Sequence, residues 1–189
     1  MAIDIILTDT LKHQADIHSK RRMSFEYDRF KLSDWQRRSM ILIGTLGQLA
    51  FKAFLDKNDI KYDYQLQAGN YDDFDFKINN EIYEIKCSAY DAKTPYKYER
   101  LNLLYSKDQF QAGLNKNFKY CVQLFVDGYN IPTKLLDLSV CSHVTLYGYI
   151  PFQNIQNYPN QARYYGDDYK VPLRELWVIE ELLKRLKAH

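Results

Sequence analysis

The chain has 189 residues, 46% of them hydrophobic, with 17 Tyr and 10 Phe but only 7 Gly and 5 Pro. That length and content fill one folded domain and exclude a disordered, collagen-like or linker-rich chain. A formal net charge of +2 excludes bulk electrostatics as the mark of a nucleic-acid partner, so such a contact has to rest on local patches.

The opening MAIDIILTDT has too short an apolar run, and no basic leader, for a secretory signal. No stretch reads as a membrane span. Cys87, Cys121 and Cys141 are odd in number and scattered, which points to a reduced, cytoplasmic protein. The first two are expected in core strands as small hydrophobes. Cys141-Ser142-His143 is the only near approach to a zinc spacing, and it falls short.

From Asp9 onward, Leu11, Ala15, Met23 and Phe25 recur at loose helical spacing and predict a helix. The stretch from His18 to Arg38 holds Lys20, Arg21, Arg22, Arg29, Lys31, Arg37 and Arg38 against Glu26, Asp28 and Asp34. It reads either as cations laid along a phosphate backbone or as a solvated helix face. Ser33 and Gln36 form a capping box that opens a long helix through about Lys57. Its apolar face is expected at Trp35, Met40, Ile43, Leu46, Leu49, Ala50, Phe54 and Leu55. Gly44 and Gly47 lie inside the helical pattern, which suggests close packing on a sheet and argues against a phosphate loop.

A strand follows at about Tyr62 to Gln67, and then the most informative segment, YDDFDFKINNEIYEIKCSAY from Tyr71 to Tyr90. Apolar and polar residues alternate on both sides of Asn79-Asn80, the pattern of a β-hairpin with a two-residue loop. Pairing Ile78 with Glu81 then sets Phe76 against Tyr83, Asp75 against Glu84, and Asp73 against Lys86. Residues two apart share a face, so Asp73, Asp75, Glu84 and Lys86 project together, while Phe74, Phe76, Ile78, Tyr83 and Ile85 project into a core.

Facing carboxylates repel and raise each other's proton affinity. A hard divalent cation such as Mg²⁺, which takes oxygen ligands and substrate phosphates, removes that penalty. With Lys86 beside it to orient or activate an attacking water, the chemistry suggested is phosphodiester hydrolysis. The bland alternative is a sheet edge blunted by solvated charge.

Residues Ser88 to Ser106, with Lys93, Tyr96, Lys97, Tyr98 and Arg100, read as a loop at the mouth of this site, suited to backbone contact with nucleic acid. A helix is expected over 106–116 and a strand over 118–126. A further strand over His143 to Ile150 has Val144 and Leu146 on one face and Thr145, Tyr147 and Tyr149 on the other. Residues 151–168 read as a surface loop. Pro172 is expected to open a terminal amphipathic helix with Leu173, Leu176, Ile179, Leu182, Leu183 and Leu186 on its apolar side. His13, His18, His143 and His189 show no sequence relation to the carboxylates and read as core or surface histidines.

Taken with its neighbours, this region resembles the PD-(D/E)XK nuclease superfamily, which includes restriction endonucleases, junction resolvases and repair nucleases. Ile43 to Phe51 resembles the family's preceding helix, with Gln48 where an acidic residue is common. Asp75 matches the first metal-binding aspartate, and Glu84-Ile85-Lys86 matches the acidic-x-Lys element. Ser106 to Gln111 resembles the start of the following helix, and Phe118 to Val126 the next core strand. The likeness spans roughly residues 40 to 127.

The resemblance implies an α/β fold with a restriction endonuclease-like core, a mixed central β-sheet flanked by helices, and extra N-terminal and C-terminal helices. In that arrangement residues 1–32 form a helical extension, 33–127 the catalytic core, and 128–189 the C-terminal strands, loop and helix. It implies a DNA-cleaving enzyme, an endonuclease, with Mg²⁺ or Mn²⁺ held by Asp75, Glu84 and the Ile85 carbonyl, and with Lys86 acting on the water. Asp73, Gln48 and Gln111 are additional candidates at the site. Lys93, Lys97, Arg100, Arg21 and Arg22 are candidates for DNA contact. A homodimer would suit double-strand cutting. Gln48 supplies no negative charge, which leaves open a non-cleaving nucleic-acid-binding module of the same fold. A protein-interaction domain is the third reading.

Overall fold

The computed structural model describes residues 2–24, 32–64, 75–90, 101–160 and 169–188. Asn79 and Asn80 both take positive φ, 51° and 63°. Asparagine tolerates that conformation, and the resulting tight turn matches the right-handed twist of paired strands. The turn joins β3 (Phe76–Ile78) to β4 (Glu81–Ala89), with Phe76 opposite Tyr83 and Ile78 opposite Glu81, the register expected from the alternation.

On its other edge β4 runs parallel to β6 (Phe118–Val126). Next comes β9 (His143–Pro151), antiparallel to β6, and then β1 (Ile3–Ile6), antiparallel to β9. With β2 (Asp63–Tyr64) beyond β3, the sheet order is β1-β9-β6-β4-β3-β2. The architecture is mixed α/β. The N-terminal segment is not solely helical, since β1 forms one edge of the main sheet and α1 (Asp9–Arg22) only follows it.

α2 (Asp34–Lys57) starts at the Ser33–Gln36 capping box and covers one face of the sheet. Leu46, Phe51, Phe54, Phe76, Ile78, Tyr83, Ile85, Val122 and Leu124 are buried together there, each side chain stabilising the fold by about 1.5–3 kcal/mol. Gly47 permits the close approach, because a Cβ at that position would lie 2.4 Å from Cys87 Cβ. Gly44 meets nothing within 4 Å, so the packing role expected for both glycines belongs to Gly47 alone. α2 has the length and composition of a membrane span, but 72% of that window is buried inside the protein, as in the core helix of a folded domain.

The opposite face is covered by a two-stranded sheet, β5 (Asn102–Tyr105) with β10 (Tyr169–Pro172), and by α3 (Lys107–Asn115). Tyr105, Phe110, Cys121, Phe125, Ile150, Phe152 and Val171 form this second core. A hairpin of β7 (Tyr129–Asn130) and β8 (Leu135–Leu136) and a terminal helix α4 (Ile179–Lys187) complete the described elements.

Several expectations are corrected. Trp35 and Met40 are 69% and 50% exposed. The first turns of α2 lie beside the β7–β8 hairpin, where Gln36 Nε2 donates to Thr133 O and Ser39 Oγ accepts from Leu136 N–H, so these positions have no sheet beneath them. The register of β9 shifts between Leu146 and Gly148. This bulge sends Tyr147 to the second core against Phe125 and returns Tyr149 to the α2 side against Tyr120. Tyr149 therefore shares a face with Val144 and Leu146, not with Tyr147.

The expected loop 88–106 contains the end of β4 and the whole of β5. Within 151–168, Phe152–Asn157 forms a 3₁₀ turn that buries Phe152 and Ile155. Pro172 ends β10 and does not open the last helix. Backbone hydrogen bonds between Trp177 and Tyr149 intervene, so α4 begins only at Ile179, and Leu173 and Leu176 pack in the second core.

Candidate functional site

β3 begins at Phe76, whereas β4 continues past Tyr83 to Ala89. The hairpin therefore opens into a fork, and Asp75 occupies its mouth. Its Oδ2 accepts the Ile85 N–H at 2.7 Å, replacing the ladder bond that a longer β3 would have made. Its Oδ1 accepts from Gln48 Nε2, so the carboxylate links the strand to α2. Because the N–H and C=O of one strand residue point to the same edge, the Ile85 carbonyl also faces the fork.

Glu84 and Lys86 pair with Cys121 and Gln123 in the parallel ladder and lie on the face opposite α2. Lys86 Nζ is 2.7 Å from Glu84 Oε1 and 4.7 Å from the centre of the Tyr105 ring. Glu84 keeps 16% and Lys86 27% of its side-chain surface open, so a ligand in solution can reach both.

Burial, and then the Glu84 charge, push the Asp75 carboxyl up to about 7, against the opposing pull of the Ile85 N–H, Lys86 and Gln48. Burial pushes Lys86 down, but the Glu84 carboxylate more than offsets it, so the ammonium is held above its ordinary value. Burial raises the Cys121 thiol to about 12, and Tyr105 is raised well above its usual value for the same reason. Both stay neutral; the Tyr105 hydroxyl donates to Cys121 Sγ at 3.2 Å and roofs the lysine.

Gln48 is buried, and its Oε1 has no hydrogen-bond partner. A buried oxygen without a donor is costly, and this one belongs to the side chain that grips Asp75. Among the described residues no group of three or more His, Cys, Asp or Glu could hold a metal ion. The oxygens around the fork are nevertheless of the hard type that suits Mg²⁺: the Asp75 and Glu84 carboxylates, the Ile85 carbonyl and the unmatched Gln48 Oε1.

Asp75, Glu84, Lys86 and Gln48 are thus brought together. Gln111 is exposed and donates to Asn115 Oδ1 along its own helix at 3.2 Å, so it is not part of this group. Arg21 and Arg22 stand on the last turn of α1. Asp73, Lys93, Lys97 and Arg100 lie outside the described residues.

Tyr105 and Gln123 were not singled out from the sequence. Gln123 is the one uncharged polar residue in FKYCVQLFV and is 1% exposed. It donates to Leu124 O at 2.7 Å and to Ser88 Oγ at 3.4 Å. A lone amide in an apolar strand was the available signal. For Tyr105 it was the Leu103/Tyr105 alternation, hidden inside a segment read as loop.

A second polar cluster closes the far end of β4 and β6. The buried Asp127 accepts from Ser142 N–H at 2.9 Å and Ser142 Oγ at 2.6 Å. It also accepts from His143 N–H at 3.3 Å and lies 3.5 Å from His143 Nδ1. Ser142 Oγ is 2.7 Å from that same Nδ1, while His143 Nε2 faces Tyr90 Oη at 3.3 Å. Serine and acid therefore share one ring nitrogen, so the ring cannot relay a proton from one to the other as a nucleophilic triad requires.

No family model matches the chain, and no curated protein or solved structure matches it.

Proposed function

We propose that the chain is a divalent-metal-dependent nuclease of the PD-(D/E)XK type, with a restriction endonuclease-like core, that hydrolyses DNA phosphodiester bonds. The observation that carries this reading is the fork, where Asp75, Glu84 and Lys86 converge with a buried, unmatched Gln48 oxygen. Asp75, Glu84 and the Ile85 carbonyl would hold Mg²⁺ or Mn²⁺, with Gln48 Oε1 as a neutral fourth donor. When bound, the ion supplies Lewis-acid polarisation of the phosphoryl oxygen and offsets leaving-group charge.

The chain's own residues supply positioning. Lys86, charged and pinned under Tyr105, presents an ammonium to the attacking water and to the developing negative charge on phosphorus. Glu84 keeps that ammonium next to the ligand oxygens. The Ile85 N–H and the Gln48 amide fix the Asp75 carboxylate in the fork, so little rearrangement is needed when substrate arrives.

Incubating the purified protein with supercoiled plasmid and Mn²⁺, with and without chelator, tests the reading. The expected outcome is chelator-sensitive nicking that falls about 10²–10³-fold in Lys86→Ala, with unchanged circular dichroism. Cutting that persists in chelator, or at full rate in Lys86→Ala, refutes it.

A further inference from the structure

β4 carries a third polar side chain on the face that bears Glu84 and Lys86. Residues two apart on a strand share a face, and Ser88 follows Lys86 by two. It is the one exposed position in a strand whose other residues are buried or half-buried. Two residues of strand span roughly 7 Å, close to the spacing of successive phosphates along one nucleic-acid chain.

Ser88 is also held in place. Gln123 lies level with Lys86 on β6 and is 1% exposed. Its Nε2 donates to Leu124 O at 2.7 Å and to Ser88 Oγ at 3.4 Å. A buried amide is costly unless its N–H groups find acceptors. The Leu124 carbonyl, beside the β9 bulge, accounts for one of the two; the other reaches across to the serine. A hydroxyl has one proton and two lone pairs. Gln123 takes a lone pair, and among the described residues Ser88 Oγ donates to no protein group. The proton is therefore left for an acceptor arriving from solvent, and serine hydroxyls are among the groups that bind phosphate oxygens of a nucleic-acid backbone.

We infer that Ser88 donates its hydroxyl proton to the phosphate next to the one being cut, and that Gln123 is the positioning residue that holds it there. With the cut phosphate at Lys86, the same strand continues along β4 and brings its next phosphate to Ser88. The inference deepens the nuclease reading and rests on it. It names the substrate as a polynucleotide gripped at two successive phosphates, as opposed to an isolated phosphodiester.

The test is the initial rate of plasmid nicking by the full-length protein in Mn²⁺, over a range of plasmid concentrations. Ser88→Ala should raise KM about 10-fold with kcat retained, the mark of a contact made equally before and during the reaction. Ser88→Thr keeps the hydroxyl and should recover most of the loss. Gln123→Met keeps the bulk of the side chain without its N–H groups; it should raise KM in the same direction and add nothing further in the double variant with Ser88→Ala. The preference for plasmid over bis(p-nitrophenyl) phosphate, a diester with no neighbouring phosphate, should fall by the same factor as KM rises. Unchanged KM in Ser88→Ala, no recovery in Ser88→Thr, or an equal loss on both substrates overturns the inference and leaves the nuclease reading standing. Plasmid left intact by the unsubstituted protein sinks the nuclease reading, and the Ser88 contact with it.

Discussion

Asp127 and Asp75 each sit where a strand of the main sheet ends, one just after β6 and the other just before β3, but their oxygens are treated differently. Around Asp127 the chain supplies a dense local set of donors from Ser142 and His143. Around Asp75 it supplies the Ile85 N–H and one side of an amide, sets Glu84 nearby, and leaves Gln48 Oε1 unmatched. The first carboxylate is consumed in holding a turn. The second is short of donors and crowded by like charge, which is the condition under which an external cation lowers the free energy.

That contrast can be broken or sharpened by substitution. The largest expected effect is on stability at the saturated end. Asp127→Ala strands the Ser142 and His143 donors and should cost about 2–4 kcal/mol by urea denaturation, while cleavage per folded molecule is unchanged. A loss of cleavage without a loss of stability would erase the distinction.

Next is the pH dependence of the fork. Burial and the Glu84 charge keep Asp75 protonated to about pH 7 in the folded chain, whereas an unfolded aspartate ionises near 3.9. The folded state thus binds the extra proton between those values. Stability from this group is fully present below about pH 4 and is lost as pH rises towards and past 7. Metal-free protein should lose about 2 kcal/mol between pH 5 and pH 8, measured by urea midpoints. Asp75→Asn should flatten that slope, and Mn²⁺ should restore stability at pH 8 in the unsubstituted protein. Equal slopes in the two proteins would mean that Asp75 is not strained by its setting.

The smallest effect concerns Gln48. Gln48→Glu adds a third carboxylate to the fork, and calorimetry should show Mn²⁺ affinity rising about tenfold, or ~1.4 kcal/mol, together with lower metal-free stability at pH 8. Unchanged affinity would place the residue outside the ion's reach.

Much of this was legible in the sequence wherever local chemistry determines structure. Asn79-Asn80 set the turn, strict alternation set which side chains share a face, and the Ser33/Gln36 capping box fixed the start of α2. What escaped was decided by distant partners. The bulge that reassigns Tyr149 depends on pairing with β6, and Trp177, which interrupts the expected terminal helix, does so by bonding to the Tyr149 backbone. At the site, the alternation placed Asp75 opposite Glu84 but could not show that its carboxylate would turn into the fork and cap Ile85. Nor could it reveal Tyr105, which reaches Lys86 only because the second sheet folds back across it.

The parallel alignment of β4 with β6 has an evolutionary corollary. Parallel neighbours need a long crossover, and here the chain between Ala89 and Phe118 makes it by way of β5 and α3, passing over the side of the sheet that bears Glu84 and Lys86. The anchoring residues belong to a short-range hairpin, while the covering residue belongs to the traverse. On the proposed reading, insertions or exchanges in the traverse would reshape access to the fork while Asp75, Glu84 and Lys86 stay where the hairpin puts them, so selectivity and chemistry would be free to change separately.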